Sequence, residues 1–136
     1  MITKEADYAL RVMLFLARAG EAAASTARLA AELDIPYRFL RKIVRRMVEA
    51  GLIGSRRGKG GGVRLKRPAE RISLLDVLNA MDRRGVALNA CGERGQPCPR
   101  HGGCAVHPEL RGVQRAIDER LAGITFAALA RAPRRA

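Results

Sequence analysis

The chain has 136 residues, too few for two large independent domains and enough for one domain with an added helix used for pairing. Its net charge of +13 points to a polyanionic partner, and the stretch 36–67 alone, with 11 Lys or Arg residues and one acid, Glu49, carries +10 of it. Apolar runs are broken early by Arg11, Arg18 and Arg28, and the start lacks the basic flank and cleavage site of a secretory signal, so no membrane span is expected and a cytoplasmic location is.

Thr3 can cap a first helix running to about Gly20, in which Ala6, Ala9, Leu10, Met13, Leu16 and Ala17 recur at helical spacing. Ser25 or Thr26 can start a second helix with Leu29, Ala30 and Leu33 on its apolar side. Asp34, Ile35 and Pro36 interrupt the pattern before a third helix that runs to about Ala50, with Gly51 placed to stop it. Residues 52–57 and 62–66 read as two short strands joined by the turn 58–61. Ser73 and Asp76 have capping-box spacing and open a fourth helix reaching about Met81. A fifth helix is expected over about 108–122, with Leu110, Val113, Ile117 and Leu121 as its apolar stripe, followed by a last short turn capped by Thr125. That stripe fits packing on the chain's own first helix and fits a dimer seam equally.

Three helices followed by a glycine-rich basic hairpin is the element order of a winged helix, so the expected fold is mainly α with a small β hairpin. A winged helix-turn-helix would be followed by a long C-terminal dimerisation helix. The expected division is a DNA-binding domain over 1–83, a cysteine-rich loop over 84–106, and a dimerisation helix with tail over 107–136. The glycines of the hairpin do not form a nucleotide-binding loop, because no βαβ unit surrounds them and no Lys-Ser or Lys-Thr pair follows.

Chemistry divides the third helix as sharply as period does. Arg38, Arg41, Lys42 and Arg45 recur on the side opposite Phe39, Ile43 and Met47, with Arg46 on the flank. Such a helix can enter a DNA major groove, where arginine pairs with guanine edges. Arg56, Arg57 and Lys59 on the hairpin would mostly neutralise phosphates or enter the minor groove, and Gly60 and Gly61 would permit close approach. One such domain reads few base pairs, so a homodimer on double-stranded DNA is implied. RNA is a weaker partner, because the chain has no Trp and its few rings form no stacking platform.

Cys91, Cys98 and Cys104 are the three cysteines of the chain, all in a Gly- and Pro-rich stretch, and His107 follows three residues later. Their odd number argues against a disulfide framework and for a metal site or reactive thiols. Thiolates and an imidazole so spaced can hold an iron-sulfur centre, a structural zinc ion, or act as redox thiols without metal. A Cys-His enzyme lacks an oxyanion or substrate-binding element and leaves the basic helix unexplained. An electron carrier has the same defect, and a protein-interaction module would show no salt-sensitive duplex binding.

The chain resembles the cysteine-containing winged-helix repressors that include the iron-sulfur regulator IscR and the nitric oxide-sensitive repressor NsrR. The resemblance is carried by TKEADYALRVMLFLA at 3–17, IPYRFLRKIVRRMVEAGLIGSRRGKGGGVRL at 35–65, ISLLDVLNAM at 72–81 and CPRHGGCAVH at 98–107. It implies a homodimer whose long fifth helix crosses its partner. In the IscR-like branch it implies a two-iron cluster on residues matching Cys91, Cys98, Cys104 and His107. In the NsrR-like branch it implies a four-iron cluster whose fourth ligand is an acidic residue of the partner's first helix, matched by Asp7. Both fourth ligands are present, and the first cysteine interval is one residue longer than in the best-known members, so an iron-responsive branch of the RirA kind stays open. The implied signal is nitric oxide, redox state or iron.

Overall fold

The computed structural model describes residues 2–88 and 98–133. Helix α1 (Lys4–Ala19) is capped by Thr3, whose hydroxyl accepts the Ala6 N–H, and ends at Gly20 with φ of 65°. Helix α2 (Thr26–Leu33) is capped by Ser25, and α3 (Tyr37–Glu49) starts after Pro36. The strands β1 (Ile53–Arg56) and β2 (Gly62–Leu65) form the antiparallel hairpin, with Arg56 opposite Gly62. Helix α4 (Leu74–Met81) has the full capping box: Ser73 accepts from the Asp76 N–H while Asp76 accepts from the Ser73 N–H. Helix α5 (Val106–Ala122) begins two residues earlier than its sequence pattern suggests, and α6 (Phe126–Arg131) is capped by Thr125. Pro108 is tolerated in the first turn of α5, where its missing N–H has no intrahelical partner to lose.

The core is built where the apolar faces of α1, α3 and α4 meet. Val12, Met13 and Leu16 of α1 face Leu40, Ile43 and Met47 of α3 and Val77 and Leu78 of α4, all essentially without solvent contact. Two long-range closures complete it. The first ties the hairpin to the stretch before α2: Ala24 and Val63 exchange backbone hydrogen bonds at 3.0 and 2.8 Å. The second brings the C-terminus home, since the Phe126 N–H donates to Ile72 O at 2.9 Å and the Leu74 N–H to Ile124 O at 2.9 Å. Phe126 is thereby seated in the core, a position that local periodicity gave no reason to expect. The fold is therefore mainly helical, a winged helix whose C-terminal α6 packs back against α1.

Helix α5 is the exception. Over 17 residues it buries one side chain, Gln114, while Val113 is 50% exposed and Val106 59%. No helix among the described residues is long and apolar enough to cross a membrane.

Candidate nucleic-acid interface and cysteine segment

The helix-turn-helix is set by α2 and α3. Leu40, Ile43, Val44 and Met47 bury one face of α3, so Arg38, Arg41, Lys42 and Arg45 are left on the solvent side, as the 3.6-residue period requires. Their surroundings differ. Lys42 donates to Glu5 of α1 at 2.8 Å, Arg45 pairs with Glu49 one turn on at 2.9 Å, and the Arg38 guanidinium lies 4.8 Å from the Phe39 ring centroid. Arg41 has no ion pair among the described residues. It is thus the basic side chain of this face that needs to break nothing before meeting a base edge or phosphate.

The exposed pair Arg45–Glu49 is weakly held in water and would yield readily to a phosphate. Glu5 is less exposed and holds both Lys42 and, at 3.2 Å, Arg46, so the α1 N-terminus and α3 are tied by charge as well as by packing. Tyr37, half exposed at the start of α3, lies 3.4 Å from the Thr26 hydroxyl at the start of α2. This polar corner is not legible in the sequence, because a lone aromatic at a helix start carries no spacing signal.

On the hairpin, Arg56, Arg57 and Lys59 are all exposed. Gly60 and Gly61 have a conformational reason of their own: Gly60 has φ of 74°, and a Cβ on Gly61 would run into the Arg56 carbonyl. The turn closes with the Gly61 N–H on Gly58 O at 3.0 Å. The same backbone freedom that lets a wing approach a groove is therefore also what closes the turn.

Of the sequence-predicted cluster ligands, Cys91 lies outside the described residues. Cys98 and Cys104 are half-buried thiols with no disulfide between them. A single 3-10 turn, His101–Gly103, separates them, and the Cys104 carbonyl accepts the His107 N–H at 3.3 Å as α5 starts. His107 is half-buried in the first turn of α5. Asp7 sits one turn into α1 and pairs with Arg11 at 2.9 Å. No three His, Cys, Asp or Glu side chains among the described residues gather into a metal-holding group. The donor chemistry nonetheless suits an iron-sulfur centre: two partly shielded cysteine side chains with no disulfide between them, and an imidazole at the helix start that follows.

A family model described as Rrf2, iron-dependent transcriptional regulator, matches residues 2–132. The chain is 31% identical over 134 residues to the HTH-type transcriptional repressor NsrR of Streptomyces coelicolor, covering 97% of this chain and 89% of that protein. It is 35% identical over 132 residues to protein aau3 of Rhizobium meliloti, covering 96% and 85%. Among solved structures, the oxidised form of Staphylococcus aureus CymR superposes with a TM-score of 0.74 at 26% identity, covering 99% of both chains. The IscR of T. potens superposes with a TM-score of 0.75 at 22% identity, covering 95% of this chain and 85% of that one, a likeness of fold.

Proposed function

Because this chain belongs to the Rrf2 family of transcription regulators, we propose that it is a homodimeric repressor whose grip on double-stranded DNA is set by an iron-sulfur cluster. That it is a DNA-binding regulator and not an enzyme follows from the family itself. The rest is our reading. Arg38, Arg41, Lys42 and Arg45 of α3 would face the major groove, Arg41 first because it is unpaired among the described residues. Arg56, Arg57 and Lys59, with the backbone at Gly60 and Gly61, would meet phosphates or the minor groove. Tyr37 and Thr26, whose hydroxyls meet at the starts of α3 and α2, would face the same stretch of DNA backbone.

Dimerisation through α5 is supported by the exposure of Val106 and Val113 on a helix that buries only Gln114. Two copies would then present two α3 helices to one operator, and a small change in their separation would weaken both half-sites together.

Cys91, Cys98 and Cys104 would hold the cluster, with either His107 or Asp7 of the partner subunit as fourth ligand. When bound, such a cluster supplies a redox-active centre that reacts with nitric oxide or oxygen. The family's iron-dependent description and the thiol and imidazole donor set support this. The chain's own part is to keep Cys98 and Cys104 half-shielded, with Cys104 joined through its carbonyl to the first turn of α5, so that their state would bear on the helix proposed to pair the two copies. We further propose the division into a DNA-binding domain over 1–83, a cluster loop over 84–106 and a pairing helix beyond it.

A cluster-free regulator of the same fold, using thiol oxidation or zinc, is favoured by the likeness to oxidised CymR. Quantifying iron, sulfide and zinc in protein purified without oxygen separates the two. Iron and sulfide in equal amounts are expected; zinc, or no metal, would overturn the cluster reading and leave the DNA-binding one standing.

A further inference from the structure

Eight residues, 81–88, run from the last residue of α4 into the first part of the 84–106 loop, and both ends of this span are held by side chains from other elements. At one end Arg46 of α3, the flank of the basic helix, donates to Met81 O at 2.8 Å. This bond caps one of the last carbonyls of α4, which has no partner within its own helix. The same Arg46 nitrogen lies 3.2 Å from Glu5, which also holds Lys42 of α3 at 2.8 Å.

At the other end Gln114 of α5 reads the backbone as a neighbouring strand would: its Oε1 accepts the Leu88 N–H at 2.9 Å, and its Nε2 donates to Val86 O at 2.7 Å. The second proton on Nε2 goes to Asp118 at 2.9 Å, which fixes the orientation of the carboxamide, since a flipped amide would set N–H against N–H at Leu88. With 6% of its surface exposed, Gln114 is the one buried side chain of α5.

Between the anchors the chain is stiffened by a turn in which the Arg84 N–H meets the Asp82 carboxylate at 2.9 Å and the Gly85 N–H meets Asp82 O at 2.9 Å. A buried glutamine that served only packing would be replaced at no loss by an apolar residue of its size. Here every polar atom of the carboxamide is spent on a single short backbone segment and on the carboxylate that orients it.

We infer that 81–88 is a coupling strap: Gln114 is the positioning residue that makes the strap follow α5, and Arg46 passes the strap's position to the DNA-reading helix. The inference rests on the regulatory reading above for its purpose, but not on any metal. A shift of α5 would move Val86 and Leu88 with the carboxamide, and the turn at 82–85 would carry that shift to the carbonyl that Arg46 grips.

The test uses the full-length, metal-free protein, so that a failure to bind iron leaves it decisive. Gln114→Glu keeps an acceptor for Leu88 but removes both donors and sets a carboxylate against Val86 O and Asp118. Repulsion from Val86 O and Asp118 should push the new carboxylate away from the segment and take that acceptor with it, so the Leu88 amide is expected to exchange with solvent about tenfold faster, the loss of one buried hydrogen bond. The decisive readout is remote: the backbone amide resonances of Arg46 and Met47 should shift as well, although the hydrogen bonds of Gln114 go to Leu88, Val86 and Asp118 and none to α3. Perturbation confined to α5 and 86–88 would overturn the strap. Arg46→Lys runs the same test from the opposite end and covers the case in which the Gln114 variant fails to fold; the Leu88 amide should respond, and an unmoved Leu88 would refute the coupling.

Discussion

The winged helix and α5 are built on opposite terms. In the former, α1, α3, α4 and α6 share one dry core, to which α1, α3 and α4 each give a stripe of apolar side chains and α6 gives Phe126. In the latter, 17 residues of helix bury a single glutamine and leave valines half exposed. The first region is finished by its own chain, whereas the second leaves an apolar side open, which the proposed second copy would cover, and starts where the cysteine segment ends. Stability should therefore reside in the first region and regulation in the second.

The largest effect that breaks this contrast is expected at Phe126. Phe126→Ala empties a fully enclosed site and should cost about 3–5 kcal/mol in denaturant unfolding. Val113→Ser on α5, by comparison, should leave protomer unfolding almost unchanged while weakening self-association in sedimentation experiments. Equal losses of stability at the two positions would erase the distinction.

Next comes Gly62, with φ of 129° and a hypothetical Cβ only 2.5 Å from Ala24 O. Gly62→Ala forces the wing off its bridge to Ala24, at a cost of about 1–3 kcal/mol, and duplex affinity should fall with it. A mutant with wild-type unfolding would show that the bridge does not hold the wing.

On the DNA face, Arg41→Ala should weaken duplex binding by about 1–3 kcal/mol, and Arg45→Ala by somewhat less, since Arg45 gives up its weak, exposed pair with Glu49 on binding. The reverse order in a titration at fixed salt would mean that α3 docks by its C-terminal rather than its central turns. The smallest effect is expected at Ser73, where Ser73→Ala breaks the capping box for about 1 kcal/mol of thermal stability and leaves DNA affinity alone.

The two regions were also unequally legible. Helix starts at Thr3, Ser25, Ser73 and Thr125 could be read because a cap is a local event, decided within three residues. The basic face of α3 was legible because its period is local too. The strands were placed within a residue or so at each end, and the short 3-10 turn Ala69–Arg71 after Pro68 was not anticipated.

What the sequence hid was long-range: the bridge from Ala24 to Val63, the return of Phe126 to the core, and the grip of Glu5 on Lys42 and Arg46. Gln114 is the extreme case, a polar residue beside an apolar stripe whose partners lie 26 and 28 positions away. Contacts of that kind impose no period on the residues that make them. Cys91, central to the proposed cluster, lies outside the described residues, so its place rests on the sequence.

The most direct test of the account is one duplex titration performed twice on the same oxygen-free preparation, before and after the cluster is removed with the protein kept folded. The account predicts tight, salt-sensitive binding beforehand and a marked loss of affinity afterwards. Unchanged affinity and site preference would contradict it, leaving a winged-helix regulator whose cysteines do not govern its hold on DNA.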